Sequence, residues 1–352
     1  MDDGRAPRGF SKKGFLMADN RRFLLVRRPN GTPVADDFSL VTVPTPVLAA
    51  GEVLVKNVYA SLDPAIRGWL DDAPSYMPPV ELGAAVRATT VGTVAASENP
   101  DFAAGDWVLG LNAIEDYSVV ALGGFTQKID AGAVPSVTNY LSVFGAVGLT
   151  AYFGLLDAGK PKAGETVLVS GAAGAVGSLV AQIAKIQGCR VIGIAGGPEK
   201  CKRLVERYGF DAAIDYKGKD EAALVAEIAA AAPGGLDVVF ENVGGIILDA
   251  ALMNLRDGAR IALCGLISEY NAPAPVGVRN LWQLIVHAAS INGVLVRDYV
   301  PRFGEGAAVM GKWLAEGKLT FDEDIDEGID NAFAIFMKLF SGGNDGKLIL
   351  KI

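Results

Sequence analysis

The rhythm of apolar and polar residues divides the chain into two parts. Between Arg22 and Tyr140, short apolar segments are separated by Pro, Gly and Asp, a spacing typical of strands joined by tight turns. The predicted strands are Phe23–Arg27, Phe38–Val43, Glu52–Ala60, Thr89–Ser97, Trp107–Leu111 and Tyr117–Leu122. Small strands at this spacing predict a β-barrel.

In the second part, strand patterns alternate with helix patterns. The predicted strands are Thr166–Ser170, Arg190–Ala195, Ala212–Asp215, Asp237–Glu241, Arg260–Cys264 and Ile291–Val296, with helices at Ala175–Gln187 and Pro198–Tyr208 among those between them. This alternation is typical of a parallel, doubly wound sheet. The chain ends in another strand pattern, Lys347–Lys351. We therefore predict an α/β fold, with a barrel domain formed by residues 21–145 and 319–352 and a nucleotide-binding domain formed by residues 146–318.

A glycine-rich motif, VLVSGAAGAVGS at Val167–Ser178, follows the first strand of the second part and opens a helix. In such a motif Gly171 permits a tight turn, Gly174 lets the backbone approach a pyrophosphate, and Gly177 lets the helix pack closely on the strand. The helix N-terminus then presents free N–H groups to phosphate. The motif predicts a dinucleotide site; the alternative is a turn whose glycines serve packing only.

The tip of the next strand indicates which dinucleotide binds. NAD-preferring sites place Asp or Glu there to bind the ribose hydroxyls, whereas this strand ends in IAGGPEK, Ile194–Lys200. Small residues followed by Lys200 suit the additional 2′-phosphate of NADP, and Tyr216 at the end of the third strand could flank it. The alternatives are a solvated helix lysine and a tyrosine packed on a loop. We predict NADP(H) as the cofactor.

Three further residues lie where parallel strands end or in an apolar helix. Asn242, in FENVGG, could reach the nicotinamide side of the ligand crevice, or could simply form a turn. Cys264 is interpreted as a small residue beside the cofactor, since no nearby basic residue would lower its pKa. His287 lies among apolar residues and is interpreted as a buried or interface histidine rather than a catalytic base.

Composition excludes several classes of protein. The 352 residues are 51% hydrophobic and 20% charged, with a net charge of −8, which argues for a large core and against nucleic-acid binding. Three cysteines and one histidine leave few ligands for zinc, so we predict no metal site. So few cysteines also make a disulfide framework improbable and fit a reducing compartment, the cytoplasm.

Two segments need separate interpretation. The uncharged run Ala131–Leu156 exceeds the roughly 20 apolar residues of a membrane span, but it contains Pro135, several polar residues and three glycines. We predict a loop followed by a buried interdomain helix, and no membrane association. Residues 1–20 are polar and basic, without the apolar core of a signal peptide, and are predicted to be a disordered arm or a leader.

Together these motifs resemble the medium-chain dehydrogenase/reductase superfamily, and within it the zinc-independent alkenal, prostaglandin and curcumin reductases. The resemblance extends from Leu24 to Ile352, and its marks are YASLDPAIRG, PSYMPPVELG, GLTAYFGLLDAGKPKAGETVLVSGAAGAVGS, GCRVIGIAGGPEKC, ENVGG, CGLISEYN and GGNDGKLIL. It implies a GroES-like barrel domain, a Rossmann domain with a doubly wound parallel sheet, and a homodimer. The edge strand Ile291–Val296 would pair across the two-fold axis.

The resemblance also implies site residues. The pyrophosphate would contact Gly174, Ala175, Val176 and Gly177, and the 2′-phosphate would contact Lys200 and Tyr216. The nicotinamide side would contact Asn242, Cys264, Gly265, Leu266, Tyr270, Val294, Leu295, Val296 and Asn344. Two departures matter. The family commonly has Tyr-Met where this chain has Ala65-Ile66, and some members have a tyrosine in the helix near His287, where this chain has none.

The family reaction is hydride transfer from NADPH to the β-carbon of an α,β-unsaturated aldehyde or ketone, followed by protonation at the α-carbon. Hydrogen-bond donors must stabilise the enolate oxygen, and Tyr59 in YASLDP is our candidate catalytic donor; its alternative is a tyrosine of the barrel core. One alternative function is an NADPH quinone reductase of the same superfamily. Another is a protein that binds NADP(H) without turnover.

Overall fold

The computed structural model describes residues 19–120, 125–274 and 276–352. The expected N-terminal arm lies outside these residues except for Asp19 and Asn20, which begin the first strand. That strand therefore starts two residues earlier than the barrel domain we predicted.

The described residues form fifteen β-strands, numbered along the chain. They are β1 (Asp19–Leu25), β2 (Phe38–Pro44), β3 (Val53–Ser61), β4 (Arg87–Ser97), β5 (Trp107–Ala113), β6 (Tyr117–Val120), β7 (Gln127–Lys128), β8 (Thr166–Val169), β9 (Arg190–Ala195), β10 (Ala212–Asp215), β11 (Leu236–Glu241), β12 (Leu255–Leu263), β13 (Ser290–Gly293), β14 (Glu323–Glu327) and β15 (Lys347–Lys351).

Nine α-helices occur in the same residues. They are α1 (Ala65–Trp69), α2 (Ala146–Phe153), α3 (Ala175–Ile186), α4 (Pro198–Tyr208), α5 (Glu221–Ala231), α6 (Gly245–Leu252), α7 (Trp282–Val286), α8 (Phe303–Ala315) and α9 (Ala332–Ser341). A π-helical segment, Gly154–Gly159, continues α2.

The second part of the chain forms a six-stranded parallel sheet, the nucleotide sheet, in the order β10-β9-β8-β11-β12-β13. The chain runs outward from β8 in one direction and then from β11 in the other, so the order reverses between β8 and β11. Ligands of such sheets bind at the carboxyl ends of the strands at this reversal. Every residue of β11 is buried, as expected for a central parallel strand covered on both faces.

The first part forms a seven-stranded path, the barrel sheet, in the order β14-β15-β3-β4-β5-β7, with β6 also paired to β3. Strands β14 and β15 come from the other end of the chain, and β15 lies antiparallel to β3. The predicted fold class, a barrel together with a doubly wound parallel sheet, is confirmed.

The apolar cores follow this division. Two clusters cover the two faces of the nucleotide sheet; one contains Phe153, Val180 and Phe240, and the other contains Ile192 and Val239. A third cluster fills the barrel and includes Leu62 and Phe336. The uncharged run that exceeded a membrane span contains α2 rather than one long helix, and no helix in the described ranges is both long and apolar enough to cross a bilayer.

The outer edge of the nucleotide sheet differs from our prediction. Strand β13 ends at Gly293, so Val294 and Leu295 are not part of it, and Val296 begins a 3₁₀ turn that contains Pro301. Val294 and Val296 pack against the core of the nucleotide sheet instead of continuing the strand. His287, which we interpreted as buried or at an interface, is half-buried at the end of α7, and its Nδ1 lies 2.9 Å from Asp257 Oδ1.

Candidate active site

The glycine-rich turn, Gly171–Gly177, has a geometry suited to a pyrophosphate, and we call it the pyrophosphate turn. Gly171 has φ +57°, and Gly174 is the N-cap of α3. A Cβ on Gly177 would lie 2.5 Å from Gly171 O and 2.8 Å from Ala172 Cα, so the close packing of helix on strand requires glycine here. The first N–H groups of a helix have no acceptor within the helix. Those of Ala175, Val176 and Gly177 are therefore suited to phosphate oxygens.

The tip of β9 suits a 2′-phosphate. Lys200 lies in the first turn of α4, and the ring of Tyr216 crosses Gly196, whose Cβ position would be 3.1 Å from Tyr216 Cε1. The nearby acid Asp215 accepts N–H bonds from Gly197 at 2.7 Å and Lys217 at 3.0 Å, and these donors lower its pKa. Its Oδ1 therefore stabilises the turn that follows β9.

A C-terminal segment, Gly342–Gly346, closes over this groove. Lys200 Nζ donates to Gly342 O at 2.8 Å and to Asn344 O at 3.0 Å, and Arg203 pairs with Asp345. Gly346 forms a β-bridge with Gly174 of the pyrophosphate turn. The structure thus brings Asn344 and Lys200 together at one end of the groove.

Lys200 and Asn344 are in direct contact although they are 144 positions apart in the sequence. Lys200 lies on the side of the nucleotide sheet, and Asn344 lies on the side of the barrel sheet. Burial lowers the pKa of Lys200. An ammonium group has three N–H donors, and two of them bind the segment's carbonyl oxygens. The third donor remains for a phosphate oxygen, so one side chain can bind both the cofactor and the segment.

Where β8 and β11 end, the Glu241 side chain joins two loops. Its Oε1 accepts hydrogen bonds from Ser170 Oγ at 2.6 Å and from the N–H groups of Val243 and Gly244 at 2.6 and 2.8 Å. Asn242 donates from Nδ2 to Ser170 O at 2.7 Å. The predicted crevice residue Asn242 is thus fixed between the two central strands, beside the pyrophosphate turn.

The loop after β12 is held to the same point. Cys264 N and Gly265 N donate to Glu241 O at 2.8 and 3.1 Å, and Leu266 N donates to Tyr270 Oη at 3.3 Å. Burial raises the pKa of Cys264 to about 12, with a further contribution from Glu241, so this thiol stays protonated near neutral pH. That agrees with a small residue beside the cofactor and not with a nucleophile.

The sequence did not single out Tyr76 as a site residue. It belongs to the loop between α1 and β4, its Oη accepts a hydrogen bond from Trp69 Nε1 at 3.3 Å, and it interacts electrostatically with Cys264 and Tyr270. Burial raises the pKa of both tyrosines. Two phenols, one from each part of the chain, therefore lie within electrostatic range of each other and of Cys264. The signal was present in PSYMPPVELG, which we used only as a mark of resemblance.

A buried arginine ties the two parts of the chain together next to these phenols. Arg67 of α1 donates from Nε to Asn271 Oδ1 at 3.0 Å and from Nη2 to Gly31 O at 2.9 Å. It also forms an ion pair with Asp71 at 2.7 Å. Because Asn271 follows Tyr270 directly, Arg67 fixes the loop that carries Tyr270 against the barrel.

Other predicted residues have different surroundings. Tyr59 lies in β3 and packs on an apolar cluster that includes Val91, Leu141 and Ile349, which is the environment expected of a tyrosine in the barrel core. Val294 and Val296 pack against the core of the nucleotide sheet rather than in a strand. In the ranges that the structure covers, no group of three or more His, Cys, Asp or Glu residues could hold a metal ion.

The fold and this crevice define an NADP-dependent oxidoreductase. Residues 21–129 match the family described as the N-terminal domain of oxidoreductase, and residues 175–311 match the family described as zinc-binding dehydrogenase. The chain is 41% identical over 339 residues to the NADPH-dependent curcumin reductase of Escherichia coli, covering 95% of this chain and 97% of that relative. It is 37% identical over 337 residues to the NADP⁺-dependent 2-alkenal reductase of Nicotiana tabacum, with the same coverage.

A solved structure is similar along nearly the whole chain. CurA from Vibrio vulnificus in complex with NADPH has a TM-score of 0.88 and 42% identity, covering 94% of this chain and 98% of that chain. The protein therefore belongs to the medium-chain dehydrogenase/reductase superfamily, among its zinc-independent reductases. NADP(H) is its cofactor.

Proposed function

We propose that the protein uses NADPH to reduce the carbon–carbon double bond of α,β-unsaturated aldehydes and ketones. The observation that carries this proposal is the pair of phenols, Tyr76 and Tyr270, which interact electrostatically with each other and with Cys264, where we predict the nicotinamide side of the crevice. Hydrogen-bond donors at this position suit an oxygen that gains negative charge during the reaction. The curcumin and alkenal reductases among the relatives are named for substrates of this class.

The side chains have defined tasks in this mechanism. Bound NADPH supplies the hydride, which adds to the β-carbon and leaves an enolate that takes a proton at its α-carbon. Tyr270 and Tyr76 stay protonated near neutral pH, because burial raises the pKa of each, and they can donate to the enolate oxygen. Tyr59 stays our sequence-based prediction for a donor, and its apolar packing makes it the weaker candidate.

The acceptor pocket is expected to be wide on the side of α1. Ala65 stands where the family resemblance would place tyrosine, and the next residue, Ile66, is buried in the barrel core. A methyl group in place of a phenol ring leaves more room at this position. We therefore expect enones with a bulky or aromatic substituent to be accepted.

We also propose a homodimer that forms at the outer edge of the nucleotide sheet. Strand β13 is exposed and, among the residues that the structure describes, pairs with β12 alone, while Trp282 and Ile285 on α7 are 66% and 69% exposed. An unpaired strand edge beside exposed apolar side chains can pair with another strand. A second copy of this chain, related by two-fold symmetry, provides that strand and buries the apolar side chains. Three free thiols fit the reducing environment of the cytoplasm, where we expect the protein.

The loss of NADPH absorbance with a medium-chain alkenal, a benzylidene ketone and a quinone tests the proposed reaction. We expect turnover of the alkenal and the ketone, with NADPH preferred over NADH. The Tyr270→Phe variant should lose turnover and keep NADPH binding, because only a phenol hydroxyl is removed; Tyr59→Phe is the matched variant in the barrel. Turnover of the quinone alone would favour a quinone reductase, and NADPH binding without any turnover would contradict an enzyme.

A further inference from the structure

Glu241 at the end of β11 and Asp249 in α6 are buried carboxyl groups with opposite surroundings. Asp249 of α6 faces a guanidinium, since Arg279 Nε lies 2.9 Å from its Oδ2 and the N–H groups of Arg279 and Asn280 bind its Oδ1. Glu241 has no exposed surface, and within the described residues no cation pairs with it. The charge of Asp249 is therefore balanced by Arg279, whereas Glu241 has no such partner among the described residues.

The two oxygen atoms of Glu241 are also unequal. Oε1 accepts three hydrogen bonds, whereas Oε2 is buried and has no hydrogen-bond partner among the residues that the structure describes. A buried carboxylate is stable only when it is paired or fully hydrogen-bonded, because water no longer solvates the charge. With one oxygen unpartnered, the neutral acid is the favoured form, and burial shifts the pKa of Glu241 upward in the same direction.

We propose that Glu241 acts as a neutral carboxylic acid that positions the three cofactor-binding loops at the ends of β8, β11 and β12. Its Oε1 binds Ser170 and the turn that follows Asn242, and its backbone oxygen binds Cys264 and Gly265. The neighbouring Asn242 connects the same three loops, since it binds Ser170 and its backbone oxygen accepts from Ile267 N at 3.2 Å. Glu241 does not touch the substrate in this proposal; it is a positioning residue that acts through Asn242 and Cys264.

Neutrality makes a specific prediction for the amide variant. In Glu241→Gln the side-chain carbonyl oxygen can accept the same three hydrogen bonds, and the NH₂ group takes the place of the protonated oxygen. The dissociation constant of NADPH should stay within about twofold of the wild-type value, since no hydrogen bond at Oε1 is lost. Glu241→Asp withdraws the carboxyl group by one methylene and should weaken NADPH binding by about tenfold or more, because the Oε1 bonds break.

Asp249 provides the matched control. Asp249→Asn removes the charge that Arg279 pairs with, so it should lower the unfolding temperature while NADPH affinity stays unchanged, since its bonds lead to the Arg279–Asn280 turn and not to the cofactor loops. If Glu241 only supported the fold, Glu241→Asp would resemble Asp249→Asn and change stability alone. Weakened NADPH binding in folded Glu241→Asp, rescued in Glu241→Gln, is the expected pattern.

The pH dependence of stability gives a second readout. The pKa of Glu241 is raised in the folded state, so its contribution to stability is complete at low pH and is lost as pH rises. Cys264 interacts electrostatically with Glu241, and with a pKa of about 12 it does not titrate in this range. A second titratable group, Glu269, lies against the same turn, with its Oε1 3.2 Å from the Cβ position of Gly244. Glu241→Gln should therefore gain stability relative to wild type as the pH rises above the ordinary pKa of glutamate.

The outcome that would overturn the proposal is a folded Glu241→Gln protein with NADPH binding weakened about tenfold or more, because it would mean that the anion is required. Wild-type binding by Glu241→Asp would also overturn it, since the positioning role would then be absent. The proposal rests on NADPH binding and not on the proposed enone reaction. Binding and unfolding are measured without an acceptor, so failure of one proposal is distinguishable from failure of the other.

Discussion

The middle and the outer edge of the nucleotide sheet differ in burial and in hydrogen bonding. In the middle, β11 is buried along its whole length, and the loops that follow β8 and β11 bind each other through Ser170 and Glu241. At the edge, every residue of β13 is exposed, and the neighbouring helix α7 turns Trp282 and Ile285 to the outside. One sheet therefore contains a buried centre, where the chain's own groups bind each other, and an exposed edge.

This difference separates two uses of a parallel sheet. Buried backbone groups must be hydrogen-bonded, so short hydrogen bonds fix the ends of the central strands. These fixed strand ends can hold a cofactor in a well-defined position. An exposed edge has unpaired backbone groups that can bind another strand. We expect substitutions in the middle to change NADPH binding strongly, and substitutions at the edge to change assembly with little effect on NADPH.

The largest effect is expected from Gly177→Ala. The added methyl group would lie 2.5 Å from Gly171 O and 2.8 Å from Ala172 Cα, and both are backbone atoms that cannot move without displacing the pyrophosphate turn. Overpacking of this kind costs about 1–3 kcal/mol or more of the free energy of unfolding. We expect a lower unfolding temperature and a loss of NADPH binding, measured by thermal unfolding and by quenching of protein fluorescence on titration.

The control is Gly293→Ala at the end of β13, where a Cβ would meet no atom within 4 Å. This variant should keep the wild-type unfolding free energy to within about 0.5 kcal/mol and should bind NADPH normally. Equal losses in the two variants would contradict the contrast between the middle and the edge.

The sequence predicted the middle of the sheet more accurately than its edge. The glycine spacing, the strand Arg190–Ala195 and the helix Pro198–Tyr208 lie where local signals are strong: a tight turn, a continuous apolar run and a proline in the first helical turn. Strand β13 was predicted to extend to Val296 because its apolar run continues. The chain instead turns away after Gly293, and its valines pack on the core.

The site contains contacts that no local pattern could reveal. Arg67 binds Asn271 across 204 positions of sequence, and Lys200 binds the carbonyl oxygen of Asn344 across 144 positions. Such pairs depend on how the barrel sheet and the nucleotide sheet meet, and a single sequence carries no periodic signal for that. The missing partner of Glu241 Oε2 is visible only once the surrounding loops are placed.

The second effect, intermediate in size, is expected from Lys200→Met. It removes the cation at the tip of β9 and both hydrogen bonds to the C-terminal segment, at Gly342 and Asn344. A charge-assisted hydrogen bond to phosphate is worth about 1.5–3 kcal/mol, so the dissociation constant of NADPH should rise by about 10- to 150-fold. NADH lacks the 2′-phosphate, and its weaker binding should change much less.

Lys202→Met is the matched substitution for that experiment, since Lys202 is an exposed lysine of the same helix α4. We expect it to leave the affinities for NADPH and NADH unchanged. Isothermal titration with both dinucleotides provides the comparison. An NADPH affinity that falls equally in both lysine variants would show that general positive charge, and not the position of Lys200, selects the cofactor.

The smallest effect on NADPH binding is expected at the edge, from Ile285→Lys. This side chain is 69% exposed on α7, beside the unpaired strand β13, so a lysine places a charge in the proposed dimer interface without disturbing the fold. Truncating or charging a central interface residue weakens association by about tenfold or more. Sedimentation velocity should show a dimer for wild type and a monomer for the variant at the same concentration.

The control is Val47→Lys, at a site 77% exposed in the loop between β2 and β3, and this variant should remain dimeric. A monomeric wild-type protein would contradict the proposed dimer. An unchanged NADPH affinity in the monomeric variant would show that cofactor binding in the middle of the sheet does not depend on dimer formation at its edge.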